Sequence, residues 1–287
     1  MSRTLSQLQT DLNVKLTDQG GRILTSTQST VLLNEALLEW CARTEELKRE
    51  TALAVVAKQF MYDAPTDIIK IKFANFLQNS YMPLEVLNEH ELQDRGGYFM
   101  QLSPGTPSHI IMEGTFPSYK LRLFPAPIAS SQATTISDAG GISSSDTTIG
   151  VAAVTGLRTP STWVQIESEK VLVQNISSLN LLLCVRGMAG TSAASHADSA
   201  AVTQCDIHIG YIRKATALAS ANDVPEIDDR WHKFLVEYAL KEALRLDRRL
   251  DAAQMATAMW ESAIKTATAK IRRVNGASPA SFMWNEY

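Results

Sequence analysis

Between Thr147 and Cys205, short apolar runs return about every ten residues: TTIGVAA, TWVQIES, EKVLVQNI, NLLLCVRG and AAVTQC. Each is the length of a strand, and turn-forming residues separate them. Short strands at this spacing bury their apolar side chains by closing into a small sandwich or barrel. The stretch that leads in, from about Ala129, is rich in Ser, Thr, Gly and Ala and nearly free of charge. Residues 130–205 therefore read as an inserted β domain.

The flanks have a different period. Leu5, Leu8 and Leu12 recur at three and four, the spacing of one helical face. After Gly20-Gly21, Thr25-Ser26-Thr27 offers N-cap chemistry to an amphipathic helix over about 28–50, with Leu33, Leu37, Trp40 and Leu47 on its apolar side. Alternation then sets in. Leu53, Val55 and Ala57 predict one half-buried strand, and Ile69, Ile71 and Phe73, alternating with Lys70 and Lys72, predict another. Residues 83–94 read as a short helix opened by Pro83 and stopped by Gly96-Gly97. HIIME and SYKLRLF flank a turn and predict a hairpin, ended by Pro125 and Pro127, which lack the N–H a ladder needs. Past the β domain, DIHIGYIRK predicts a strand paired with SYKLRLF, so that the insertion leaves and returns at neighbouring strand ends. A helix is expected from Pro225, with Trp231, Leu235 and Tyr238 on one face, and a second over about 251–274. The intervening DRRLD leaves both one long helix and a hairpin open.

The chain has 287 residues, which suggests about two domains, and its net charge of -3 argues against a dedicated nucleic-acid binder. Cys41, Cys184 and Cys205 are an odd set without tight spacing and read as reduced, buried thiols. The first residues carry no signal-peptide pattern, and no apolar run is long enough to span a membrane.

Catalytic chemistry finds little support. Cys205-x-x-His208 has the spacing of half a zinc site, but Cys184 and His196 match no zinc spacing, RGMAGT at Arg186–Thr191 lacks the ending of a phosphate loop and reads as a β-turn, and no nucleophile elbow is present. No catalytic residue, metal site or cofactor is expected. Arg245, Arg248, Arg249, Arg272 and Arg273 on the C-terminal helices form a solvated charged face or line a channel for DNA. The tail NGASPASFMWNEY differs in composition from a solvated tail. Phe282, Met283, Trp284 and Tyr287 are the residue types that anchor interfaces, and docking into a partner is expected.

The order of these parts resembles the head-to-tail adaptor (connector) family of tailed bacteriophages. The matching segments are LLNEALLEWC, then FMYDAPTDIIKIK with its Tyr-x-x-Pro step, SYKLRLFPAP with its Pro-x-Pro ending, IHIGYIRKATAL, and VPEIDDRWHKFLVEYALKEAL with its Trp-His pair. Residues 130–205 are absent from minimal members. They look like a small β module of phage structural proteins, marked by Arg-Gly-x-x-Gly-Thr and Ala-x-x-His.

The resemblance implies a non-enzymatic virion protein of the neck, made in the host cytoplasm. It would form a ring of twelve subunits under the portal, with a lumen for DNA. The implied fold is α+β: a helical-bundle adaptor core with a short antiparallel β element, plus the inserted all-β sandwich or barrel. The divisions are 1–129 and 206–274 for the core, 130–205 for the insertion and 275–287 for a tail that docks on the portal through Phe282, Met283, Trp284 and Tyr287. The expected partners are the portal protein, tail, nozzle or tail-completion proteins, further copies of the chain, tail fibres and passing DNA, with no membrane. A second reading makes the β domain a tail-fibre attachment or glycan-binding module, for which Trp163 is the one aromatic of the right kind.

Overall fold

The computed structural model describes residues 2–17, 23–78, 81–88, 90–91, 103–115, 118–158, 162–177 and 179–274, with side chains to Ile271. The chain divides into two compact units, one of residues 1–48 and 212–287 and the other of residues 49–211.

The first unit is helical. α1 (Leu5–Leu16) buries Leu5, Leu8, Leu12 and Leu16, extending the predicted stripe by one turn. α2 (Ser26–Thr44) starts where Thr25 was expected to cap it. The Thr25 hydroxyl accepts from the Gln28 N–H, and the Gln28 side chain accepts from the Thr25 N–H, a reciprocal box that satisfies two otherwise orphaned donors. The helix ends six residues earlier than its periodicity suggests, because Glu45 turns into the left-handed region at φ 56°. α3 (His232–Leu246) begins well after Pro225. The intervening acids serve loops instead: Glu226 accepts from the Thr216 N–H at 2.9 Å and pairs with Arg213 at 2.8 Å. α4 (Leu250–Val274) packs on α3, so DRRLD is a hairpin turn, with Arg248 at φ 59°. The core of the unit is aromatic. Trp40 lies 5.5 Å, centroid to centroid, from both Trp231 and Trp260, and Tyr238 lies 5.1 Å from Trp260.

The second unit is built from two sheets. The seven-stranded sheet runs β1-β13-β3-β4-β5-β6-β2, from β1 (Lys48–Leu53), β2 (Met61–Asp63), β3 (Ile68–Phe76), β4 (Met82–Leu87), β5 (His109–Glu113), β6 (Lys120–Phe124) and β13 (Ile207–Arg213). The six-stranded sheet runs β7-β12-β9-β10-β11-β8, from β7 (Ala133–Thr135), β8 (Thr148–Gly150), β9 (Thr162–Ile166), β10 (Glu169–Ile176), β11 (Leu181–Met188) and β12 (Ala201–Gln204). Each of the five runs that opened the sequence reading holds a strand. Ile149, Val164, Ile166, Val171, Leu182 and Val202 form the dry centre of the six-stranded sheet.

The expected core, a helical bundle with a short antiparallel β element, is overturned. The protein is mostly β, with two sheets curled as half-barrels and 29% helix. The cause is a set of pairings between residues far apart in sequence. Residues 83–94 were expected to be helical, but β4 occupies Met82–Leu87, paired antiparallel to β3 and parallel to β5. The predicted β5–β6 hairpin is present, with Glu113 opposite Lys120. β13, however, lies between β1 and β3 and not beside β6. Phe73 also departs from its expected inward position. It is exposed on the sheet surface over Gly210, where a Cβ would come within 2.1 Å of its ring.

Candidate functional site

A densely bonded polar cluster lies in the six-stranded sheet, at the motif read as turn architecture. Glu169 opens β10 with its side chain 1% exposed, and Arg186 near the end of β11 meets it with both arms. Nε of Arg186 donates to one carboxylate oxygen and Nη2 to the other, each at 2.7 Å. The N–H groups of Gly187 and Ala194 donate to the same carboxylate at 2.9 and 3.1 Å, and Nε2 of His196 lies 2.8 Å from it. The other ring nitrogen of His196 lies 2.9 Å from Glu167. Burial pushes the Glu169 carboxyl up, but the Arg186, His196 and backbone donors outweigh it and hold the group down at about 2.

Three elements of Arg-Gly-x-x-Gly-Thr, namely Arg186, Gly187 and Thr191, have a part in this geometry. Arg186 also donates to the carbonyls of Ser143, Asp146 and Ala194. Gly187 sits at φ 64°, with the Ala193 nitrogen 2.8 Å from where a Cβ would stand, so a side chain is excluded. The Thr191 hydroxyl donates to the Met188 carbonyl at 2.7 Å and accepts from the Lys170 N–H at 3.0 Å. The cluster thus fastens the loop after β11 to the β9–β10 turn. Sequence reasoning picked out the motifs that hold Arg186, Thr191 and His196, reading them as turn architecture, and missed Glu169. Its sequence signal is a carboxylate beside Lys170 at the start of the run EKVLVQNI.

A second cluster lies where the chain enters and leaves the six-stranded sheet. Asp206 is fully buried and accepts from the Ser131 hydroxyl at 2.6 Å and from the Gln204 amide at 3.1 Å. Arg158 pairs with it and donates to the carbonyls of Leu77 and Cys205 at 2.7 and 2.9 Å.

The structure separates the remaining sequence candidates. Cys184 bonds the Thr147 carbonyl, Cys205 lies beside Lys170 at 3.9 Å, and His208 contacts Glu50 at 3.1 Å, so the paper zinc set does not converge. Among the described residues no group of three or more His, Cys, Asp or Glu gathers for a metal. Trp163 is buried and stacked on His208 with centroids 6.0 Å apart, which removes it as a platform for sugars. Arg245, Arg248 and Arg249 are exposed together at the α3–α4 turn, with Arg245 paired to Glu242 at 3.0 Å. Arg272 and Arg273 lie at the other end of α4, roughly 35 Å away at the rise of a helix, and only their backbone is described. The five arginines therefore form two groups and not one stripe. Phe282, Met283, Trp284 and Tyr287 lie outside the described residues. Among the described residues no helix is long and apolar enough to cross a membrane.

These clusters have one feature in common: each ties backbone to backbone and leaves its charges saturated. Both clusters hold the β unit's own loops and strand ends in place. The sequence matches the family model described as SU10 adaptor protein over residues 3–282, and the chain belongs to that family of phage head-to-tail adaptors. No curated protein matches the chain. The resemblance read from the order of motifs is the family found here, and a structural role among phage head and tail proteins, as part of the virion, follows from it.

Proposed function

We propose that this protein is the ring-forming adaptor of the neck, seated below the portal, linking the capsid vertex to the tail and leaving a lumen through which DNA passes. The observation that carries the reading is the family match across nearly the whole chain. In this reading twelve copies form the ring, and the tail from 275 onward reaches the portal through Phe282, Met283, Trp284 and Tyr287. The exposed Arg245, Arg248 and Arg249 face DNA or a neighbouring copy, where a modest positive density suffices for phosphate contact. Residues 130–205 are a module inserted into the core and directed at tail proteins or fibres.

The decisive experiment is cosedimentation with purified portal rings, comparing the full chain with one ending at Val274. Binding by the full chain that disappears on truncation supports the reading and the tail contact. Absence of binding by the full chain refutes it. Deleting 130–205 tests the module separately: rings that still form mark it as peripheral, whereas loss of folding overturns the insertion.

A further inference from the structure

The helical unit carries two unlike exposed surfaces, one a groove and one a ridge. The first is a groove of about 530 Å³ in which α1 and α4 flank α3. Its apolar wall is Val14, 71% exposed, Met259, 54% exposed, and the ring of Phe234. Its charges are not equally available. Arg3 and Lys15 are neutralised within the groove by Asp11 and Glu237. Lys233 has no ion-pair partner among the described residues and lies 4.8 Å over the Phe234 ring. Met255, 70% exposed, extends the apolar surface by one turn of α4.

The second surface is the outer ridge of α2, which contributes nothing to the groove. Val31, Glu35, Leu38 and Ala42 step by four, three and four, and all four are exposed. They form one helical stripe that is apolar except for the carboxylate of Glu35. Such a stripe is the shape that an apolar groove between helices accepts, with anchors at i, i+4 and i+7. Glu35 is left without an ion pair among the described residues, as Lys233 is.

We infer that the α2 ridge of one copy docks into the α1–α3–α4 groove of the next, Leu38 against Val14 and Met259, Glu35 against Lys233. The occupant is a second copy because ridge and groove are both apolar, carry unpaired charges of opposite sign, and belong to the same unit. Unlike surfaces meeting head to tail repeat around a closed ring or along an open filament, whereas a two-fold dimer would join like surfaces. The inference rests on the ring reading above and specifies which faces make it.

The test uses the full chain with single cysteines added, since Cys41, Cys184 and Cys205 are all buried. Leu38→Cys and Met259→Cys chains, mixed and mildly oxidised, should form disulfide-linked dimers. A chain carrying both changes should form a ladder of oligomers, and each single variant alone should form neither. Glu35→Lys or Lys233→Glu should cut the cross-linked product roughly tenfold, and the two together in one chain should restore it. No cross-link in the mixture, or equally efficient cross-linking of one single variant with itself, overturns the inference. Chains that sediment with portal rings yet fail to cross-link sink this inference alone. Chains that cross-link yet ignore the portal sink the portal reading alone.

Discussion

The Ser131 hydroxyl donates a 2.6 Å hydrogen bond to the buried carboxylate of Asp206, joining residues 75 positions apart at the neck of the six-stranded sheet. Asp206 also takes the charge of Arg158, which in turn holds the Leu77 and Cys205 carbonyls. Asp206→Ala leaves that guanidinium without its partner, and a loss of about 3–5 kcal/mol is expected from urea unfolding. Ser131→Ala removes one bond and should cost only about 1–3 kcal/mol. Equal losses for the two would show that the ion pair does not hold the neck.

Acid should loosen the six-stranded sheet through Glu169. Its carboxyl titrates at about 2 in the folded chain against an ordinary 4.5. Between those values the unfolded chain binds more protons, so stability rises with pH. The contribution, about 3 kcal/mol, is complete above pH 4.5 and lost as pH falls toward 2. Unfolding in urea at each pH, followed by the β-sheet signal in circular dichroism, reads the transition. Glu169→Gln should flatten this slope and itself destabilise by about 3–5 kcal/mol, because Arg186 is left buried and uncompensated. An unchanged slope in the variant would assign the acid sensitivity to other carboxylates.

Arg248 sits at φ 59° in the α3–α4 turn, a conformation that costs a residue with a side chain about 1–2 kcal/mol. Arg248→Gly should therefore stabilise the helical hairpin by about 0.5–1 kcal/mol after the glycine's own entropic cost. Thermal unfolding followed by helical circular dichroism reads this directly. A lower midpoint would mean that the arginine side chain makes a contact worth more than the strain.

Burial raises each of the three thiols to about 11, so near neutral pH they are protonated and slow to react. A maleimide should label none of the three in the native chain within minutes and all three in denaturant. Cys41 belongs to the helical unit, whereas Cys184 and Cys205 belong to the β unit. The order in which labelled peptides appear under partial denaturation then shows which unit opens first.

What the sequence revealed followed the range of the interactions involved. Leu5, Leu8 and Leu12, and the Thr25 cap, act within a few residues, and both helices appear where these residues put them. The strands of the six-stranded sheet were legible because each carries its own apolar run between turns. β4 was not. Leu84 and Leu87 are three apart and follow a proline, which fits a helix, and only pairing with β3 and β5 makes them a strand. Helical spacing likewise joined Leu47 to Trp40, although Glu45 ends the helix between them. In the candidate site, Arg186 and His196 stand in a visible motif, but Glu169 comes from a neighbouring strand, and cross-strand register is not written in local spacing.

The Arg213 N–H donates to the Leu47 carbonyl at 2.9 Å, so the chain leaves the helical unit and returns to it at touching points. Everything from 49 to 211 is, to that unit, one long loop closed by a short stem. The entropy of closing a loop grows only with the logarithm of its length, about 0.6 kcal/mol for each doubling. A change in the length of the β unit is therefore cheap for the helices, provided that its two ends stay side by side.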